Sequence, residues 1–236
     1  MTREPTLRGG IIAAGKGRRL RQGGWTMPKP LVPIAGVPLI ESVIRNFSAA
    51  GITSLVIIVN EQGRDCLEHV RRRFPDLDLD FIVKTTASSL ESFGEVATRL
   101  GRGRALISTV DAWCREADFV HFVEAARQRP VQATVLAVTP LVSDEDPLWV
   151  RLDDDGRVSD LGGRSGEMVT AGIYLVSERV RTMVPPSELA RLRDFLTWLH
   201  SRGEVLCGEV IQTVVDVDEA EDVALAEALV GAGKNP

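Results

Sequence analysis

Between residues 1 and 40 the chain carries seven lysines or arginines (Arg3, Arg8, Lys16, Arg18, Arg19, Arg21 and Lys29) against one acid, Glu4. The protein as a whole has a formal net charge of -5. The N-terminal region is therefore a local concentration of positive charge, of the kind that draws a small polyanion into a cleft. Gly15 and Gly17 stand among these cations. Glycines at such places let the backbone approach a ligand closely and offer bare N–H groups to phosphate oxygens. The chemistry expected of Ala13, Ala14, Gly15, Lys16 and Gly17 is the cradling of a triphosphate. The plain alternative, a basic surface loop rich in turn residues, accounts for the glycines and prolines but not for their order.

Two common phosphate motifs are excluded at the residues that carry their chemistry. Residues 10–16 fit the first seven positions of G-x-x-x-x-G-K-[ST], but the eighth, where a hydroxyl should meet Mg²⁺, is Gly17. A dinucleotide fingerprint needs a third glycine, and Leu20 holds its place.

The elements that must position this loop follow from hydrophobic patterning. Residues 7–13 read as a short apolar strand that delivers the glycine bend. Residues 38–50 have helical periodicity, with Pro38 at the start and Gly51 as a stop. Ser54–Val59 is a continuous apolar run of buried-strand type. A helix over 62–73, a strand over 80–83, a helix over 88–100 and a strand over 104–110 continue the alternation. A helix over 116–129 and a β-branched strand over 131–138 complete it. Such a βαβαβαβα order is Rossmann-like and gathers ligands at the carboxyl ends of the strands. Asp111 lies at one such end. Beyond residue 139 the pattern becomes a hairpin, with strands 149–152 and 157–161 around Asp153-Asp154-Asp155-Gly156, then a glycine-rich loop and a strand over 169–176. The consecutive carboxylates of that turn cannot all face one ion, so a solvated hairpin turn is expected there.

Composition fits one folded domain over residues 1–236. Hydrophobic residues make up 44% and charged residues 26% of the chain, ordinary values for a globular protein. The first ten residues contain no apolar run of the kind a secretory signal needs. Cys66, Cys114 and Cys207 are odd in number and scattered, which suits free thiols in a reducing compartment. A cytoplasmic location is expected.

The glycine segment reads Ala13-Ala14-Gly15-Lys16-Gly17-Arg18-Arg19-Leu20. Pro28-Lys29-Pro30-Leu31-Val32-Pro33-Ile34-Ala35-Gly36-Val37-Pro38-Leu39-Ile40 follows at the proper distance. The two halves resemble the A-A-G-x-G-x-R-(M/L) and P-K-P-L-(V/L)-P-(V/I)-x-G-x-P signature of the nucleotidyltransferases that make nucleotide-activated sugars and related phosphoalcohols. The resemblance implies an α/β fold: a single Rossmann-like (GT-A-like) domain with a mixed, mainly parallel central sheet flanked by helices. Residues up to about 138 would form its nucleotide-binding half, and residues 139–236 the acceptor-binding half with a second metal segment. It implies transfer of a nucleoside monophosphate from a nucleoside triphosphate to a sugar 1-phosphate or similar phosphate monoester, with release of pyrophosphate. A cytidylyltransferase acting on a phosphoalcohol, or a non-catalytic nucleotide-binding relative, are the alternatives. The partners expected are the triphosphate and a phosphorylated small molecule, with no nucleic acid and no membrane.

The resemblance also distributes roles. Arg19 and Lys29 would be catalytic, stabilising charge at the departing pyrophosphate and the α-phosphorus. Mg²⁺ would be held by Asp111 with Asp216 or Asp218, from a segment (Asp216-Val217-Asp218-Glu219-Ala220-Glu221-Asp222-Val223) similar to the family's late D-(V/I)-D-x-x-E-D motif. An extended backbone there puts Asp216 and Asp218 on one face. An ordinary loop or capping aspartate is the bland reading of Asp111. Ser88 and Ser89, in the loop after the third strand, would contact base and ribose, or one of them would merely cap the next helix. In place of the family's acceptor-phosphate lysine the chain has Arg164 or Arg157.

Overall fold

The computed structural model describes residues 6–142 and 146–232. Arg3 and Glu4 of the basic N-terminal segment lie outside the described residues.

The chain opens with β1 (Arg8–Ala13), whose last residue leads into the glycine bend and a short helix, α1 (Arg18–Gln22). A two-stranded ladder of β2 (Pro33–Ile34) and β3 (Val37–Pro38) precedes α2 (Leu39–Ala49). Then come β4 (Ser54–Val59), α3 (Arg64–Arg73), β5 (Asp78–Val83), α4 (Ser89–Arg99) and β6 (Ala105–Thr109). These match the strands and helices expected from patterning to within two residues. Strands β5, β4, β1 and β6 lie side by side and are all parallel. The apolar runs of β1, β4 and β6 are buried because both faces are covered, whereas the edge strand β5 is half-exposed. Ile11 and Ile57 join one core layer with α2, α3 and the later helix α5 (Glu116–Gln128), whereas Ile12, Val56 and Ile58 join the other with α4.

Sequence patterning missed a three-residue strand, β7 (Ala112–Cys114), between Asp111 and α5. After β8 (Thr134–Thr139), β9 (Trp149–Leu152) and β10 (Val158–Leu161) form the expected hairpin. Asp153 caps its turn: Oδ1 accepts hydrogen bonds from the N–H groups of Asp155 and Arg157, while Asp153, Asp154 and Asp155 are exposed. The solvated-turn expectation holds.

The nine-residue β11 (Met168–Val176) runs antiparallel through the middle of the sheet. Its first residues pair with β9 and its last four with β6, and it pairs with β8 along the opposite edge. The change of neighbour falls at Gly172, where φ is 71°. A Cβ there would stand 2.6 Å from Thr109 Oγ1 and 3.0 Å from Ala112 Cβ, so both backbone and space demand glycine. After the short α6 (Glu178–Arg181), α7 (Leu192–Ser201) covers the second core layer, and β12 (Leu206–Val210) extends the sheet parallel to β8. Finally β13 (Val214–Asp216) pairs antiparallel with β7, and α8 (Ala220–Ala232) closes the described chain. Among the described residues no helix is long and apolar enough to cross a membrane. The outcome is the expected α/β architecture, with a mixed, mainly parallel sheet between helical layers.

Candidate active site

The site forms where β1 and β6 end. Gly17 adopts the left-handed conformation (φ 55°) and begins α1 without a side-chain cap. Its missing Cβ would meet Lys29 Cβ at 2.9 Å, so the bend and the P-K-P segment fit only because residue 17 is glycine. Leu20, 1% exposed, roots α1 in the core, which leaves Arg18, Arg19 and Arg21 outside. Ala13 and Ala14 are buried, Gly15 and Lys16 are exposed, and Gly17 is half-buried. A second anchor comes from Asn60, whose Nδ2 donates to the carbonyls of Ala14 and Gly15, each at 3.1 Å.

Asp111 follows β6 by two residues, and its backbone carbonyl accepts from the N–H of Val217 at 3.0 Å. The β7–β13 ladder sets Asp216 opposite Ala112. Val217 is fully buried, so alternation sends its two neighbours, Asp216 and Asp218, toward the cleft. One carboxylate oxygen from each of Asp111, Asp216 and Asp218 lies within 4.8 Å of the others. The choice between Asp216 and Asp218 left open by the sequence is met by both joining the cluster. Asp222 reaches back, its Oδ2 accepting from Asp218 N–H at 2.9 Å and Glu219 N–H at 2.8 Å. It thereby serves the N-terminus of α8 rather than the cluster.

Lys29 penetrates this acidic group. Its side chain is 5% exposed, and Nζ donates to Asp111 Oδ2 at 2.5 Å and to Asp218 Oδ1. Burial by itself would push the Lys29 ammonium down, but Asp111, Asp218 and Asp216 outweigh it and hold the group above the usual lysine range. Asp111 shows the converse balance. Its depth in the cleft opposes ionisation, and the Lys29 charge and hydrogen bond, with a further bond from Thr109, carry the carboxyl below its ordinary range. Arg19 donates to Asp218 from Nη2 and to Glu219 Oε1 at 3.5 Å from Nη1.

The cluster suits a hard divalent cation. Its donors are all carboxylate oxygens, which fit Mg²⁺ or Ca²⁺ rather than zinc. A positive group, the Lys29 ammonium, already stands between two of them.

Ser88 is the cap of α4, its Oγ accepting from Glu91 N–H at 3.1 Å. Ser89 Oγ accepts from Leu192 N–H at 2.9 Å and also lines a cavity of about 260 Å³. Asp111, Asp216, Gly172, Tyr174, Arg191 and Arg193 share that lining. Burial first, then the Asp216 charge, raises the Tyr174 phenol above its normal range. Arg164 lies in an adjoining groove with Arg191 and Arg193, whereas Arg157 forms an isolated bridge with Cys207. Sequence reasoning missed Arg191, Arg193 and Asn60. No spacing marks the two arginines, because α7 and the loop before it carry no motif, and Asn60 ends an apolar strand with nothing to flag it.

A glycine bend, a buried lysine, an exposed arginine and a carboxylate cluster at one edge of a mainly parallel sheet define a Rossmann-like protein of the nucleotidyltransferase type. The chain belongs to the family of MobA-like NTP transferase domains, whose profile matches residues 9–159. It is 30% identical over 93% of its length to the bifunctional IPC transferase and DIPP synthase of Rubrobacter xylanophilus, covering 51% of that protein. It is 34% identical over 94% of its length to the low-salt glycan biosynthesis nucleotidyltransferase Agl11 of Haloferax volcanii, covering 60% of it. The chain thus spans half to three-fifths of these relatives. Among solved structures, the inositol-1-phosphate CTP transferase from T. maritima superimposes with a TM-score of 0.81 at 17% identity, with 98% of each chain covered. That likeness bears on the fold.

Proposed function

We propose that this protein transfers a nucleoside monophosphate from a nucleoside triphosphate to a sugar 1-phosphate or a similar phosphate monoester, with Mg²⁺. The observation that carries the reading is the convergence of Lys29 and Arg19 on Asp111, Asp216 and Asp218 beside the glycine bend. All 236 residues would act as one domain, residues to about 138 serving the nucleotide and the remainder the acceptor. A cytoplasmic location accords with this reading.

In the reaction an oxygen of the acceptor phosphate attacks the α-phosphorus. The bond from that phosphorus to the bridging oxygen breaks, and pyrophosphate leaves with the electron pair. The attacking oxyanion is already a nucleophile, so the chain need only align the reactants and stabilise shifting charge. Backbone N–H groups of residues 14–17 hold the triphosphate. Arg19 exchanges Asp218 for oxygens of the departing pyrophosphate, and Lys29 exchanges its carboxylates for oxygens around the α-phosphorus. Asp111, Asp216 and Asp218 would hold the metal, which screens repulsion between the two phosphates when bound. The cavity beside Asp111 and Asp216 receives the acceptor body.

The cavity wall favours a second reading of the acceptor. Leu141, Pro147, Leu148, Val169 and Val214 line it, and an aliphatic wall suits a phosphoalcohol with few hydroxyls as well as a sugar. A non-catalytic relative is disfavoured because Lys29, Arg19 and the three aspartates are all in place. The test is to incubate the protein with each of four nucleoside triphosphates, Mg²⁺, and a panel of sugar 1-phosphates and phosphoalcohols, measuring pyrophosphate. Release that depends on one acceptor class is expected. No release with any combination would overturn the reading.

A further inference from the structure

We propose that Asn60 is a positioning residue for triphosphate binding, the brace that fixes the glycine bend before any ligand arrives. The inference rests on the reading of that bend as the triphosphate cradle. Asn60 stands one residue beyond β4 and is 6% exposed. Its carboxamide is used in full view of the loop: Nδ2 donates to Ala14 O and Gly15 O, and Oδ1 accepts from Gly63 N–H at 2.9 Å. The partners fix which amide atom is which, because two carbonyls need a donor and one N–H needs an acceptor.

The geometry does something a generic loop contact would not. A peptide carbonyl and the N–H of the next residue point in opposite directions across a planar unit. By drawing the carbonyls of Ala14 and Gly15 toward β4, Asn60 turns the N–H groups of Gly15 and Lys16 the other way, as an anion-binding concavity requires. Gly15 has no heavy atom within 4 Å of where a Cβ would stand, so the bend is open on that side while the two bonds to Asn60 hold its carbonyls on the other. The same turn also meets α1, since Arg21 Nη2 donates to Gln62 Oε1 at 2.6 Å. Gly15, Gly17, Gly23 and Gly24 each add backbone freedom to this segment. The brace instead gives a preorganised loop, which lowers the ordering cost of binding.

Asn60→Ser separates the two jobs of the side chain. A serine hydroxyl still caps the turn by accepting from Gly63 N–H, but it is too short to span to Ala14 and Gly15. Inorganic tripolyphosphate with Mg²⁺ is the probe, because it reports the cradle without a base. Its dissociation constant should rise about tenfold in Asn60→Ser, the scale expected for two lost hydrogen bonds. Amide exchange across residues 14–17 should quicken in the ligand-free variant. In turnover, KM for the triphosphate should rise while kcat and the acceptor KM stay near wild type. Asn60→Asp, which keeps the cap and sets a carboxylate oxygen against two carbonyls, should weaken binding further and serves as the second variant if serine disturbs folding. Unchanged tripolyphosphate affinity and unchanged exchange in both variants would overturn the proposal. Failure of the wild type to bind tripolyphosphate would instead refute the cradle reading itself, and the exchange measurement distinguishes the two because it needs no ligand.

Discussion

Lys29 Nζ and Asp111 Oδ2 stand 2.5 Å apart, although 82 positions separate them in the chain. In the structure each neutralises the other, and Asp218 binds both Lys29 and Arg19. The groups proposed to act on phosphate are thus stored against the groups proposed to hold metal. On the proposed reading, triphosphate and metal together would replace each side's partner, whereas either alone would leave buried charge unmatched, which is costly. Mutual enhancement of their binding is the expected outcome.

Replacing Lys29 with alanine should lower turnover by about 100-fold or more, the scale for loss of one oriented charge-stabilising group. Lys29→Arg should recover little, since a planar guanidinium does not fit where a compact ammonium stands between Asp111 and Asp218. Steady-state pyrophosphate release measures both. Wild-type turnover in the alanine variant would reduce the P-K-P segment to a structural turn.

Asp111→Asn should mimic removal of metal. Pyrophosphate release should vanish in excess chelator and return with added Mg²⁺ in the wild type. The variant should stay slow at any Mg²⁺ concentration yet melt cooperatively. Full activity in chelator would refute the metal assignment.

Glu41 offers a pH test away from the site. Its buried carboxylate accepts from Arg73 at 3.0 Å, from Arg45, and lies 3.1 Å from His69 Nε2. The Arg73 hydrogen bond is the largest influence; burial opposes it, and with help from His69 and Arg45 the carboxyl titrates below its ordinary value. A depressed carboxylate stabilises the fold above its unfolded pKa, near 4.3 for glutamate, and loses that contribution as pH falls through the folded value. The wild-type melting temperature should therefore fall more steeply below about pH 4 than that of Glu41→Gln. At neutral pH the variant should be less stable by about 1–3 kcal/mol. Parallel pH profiles for the two proteins would contradict this.

Gly172→Ala should damage both fold and function. The left-handed backbone costs an L-residue about 1–3 kcal/mol, and the new methyl would press on Thr109 and Ala112, the residues on either side of Val110 and Asp111. A lower melting temperature together with reduced turnover at saturating substrate is expected. Thermal melts and initial rates decide it.

The parallel half of the fold was legible because its inner strands β1, β4 and β6 are buried on both faces and its helices carry apolar stripes. The apolar run Ser54–Val59 appears in the structure residue for residue. The carboxylate cluster was legible only in parts. Asp111 announced itself by following a buried strand, and Asp216 and Asp218 by the resemblance of their segment to a family motif, but the ladder joining them consists of three-residue strands. Such strands are too short for periodicity to register. Arg191, Arg193 and Asn60 were invisible for another reason: their positions depend on long-range packing, and single polar residues outside motifs carry no local signal.

The β7–β13 ladder also has a bearing on biosynthesis. Among the described residues β13 is the last strand to leave the ribosome, and domains fold largely as they emerge. A nascent chain that has already built its glycine bend and Lys29 still lacks two of three acidic groups until residues 214–218 appear and pair with Ala112–Cys114. A product cut short upstream would carry a phosphate-attracting cleft with its ammonium under-neutralised. On the proposed reading it would lack most of the metal site, so the late strand ties competence to translation of this segment.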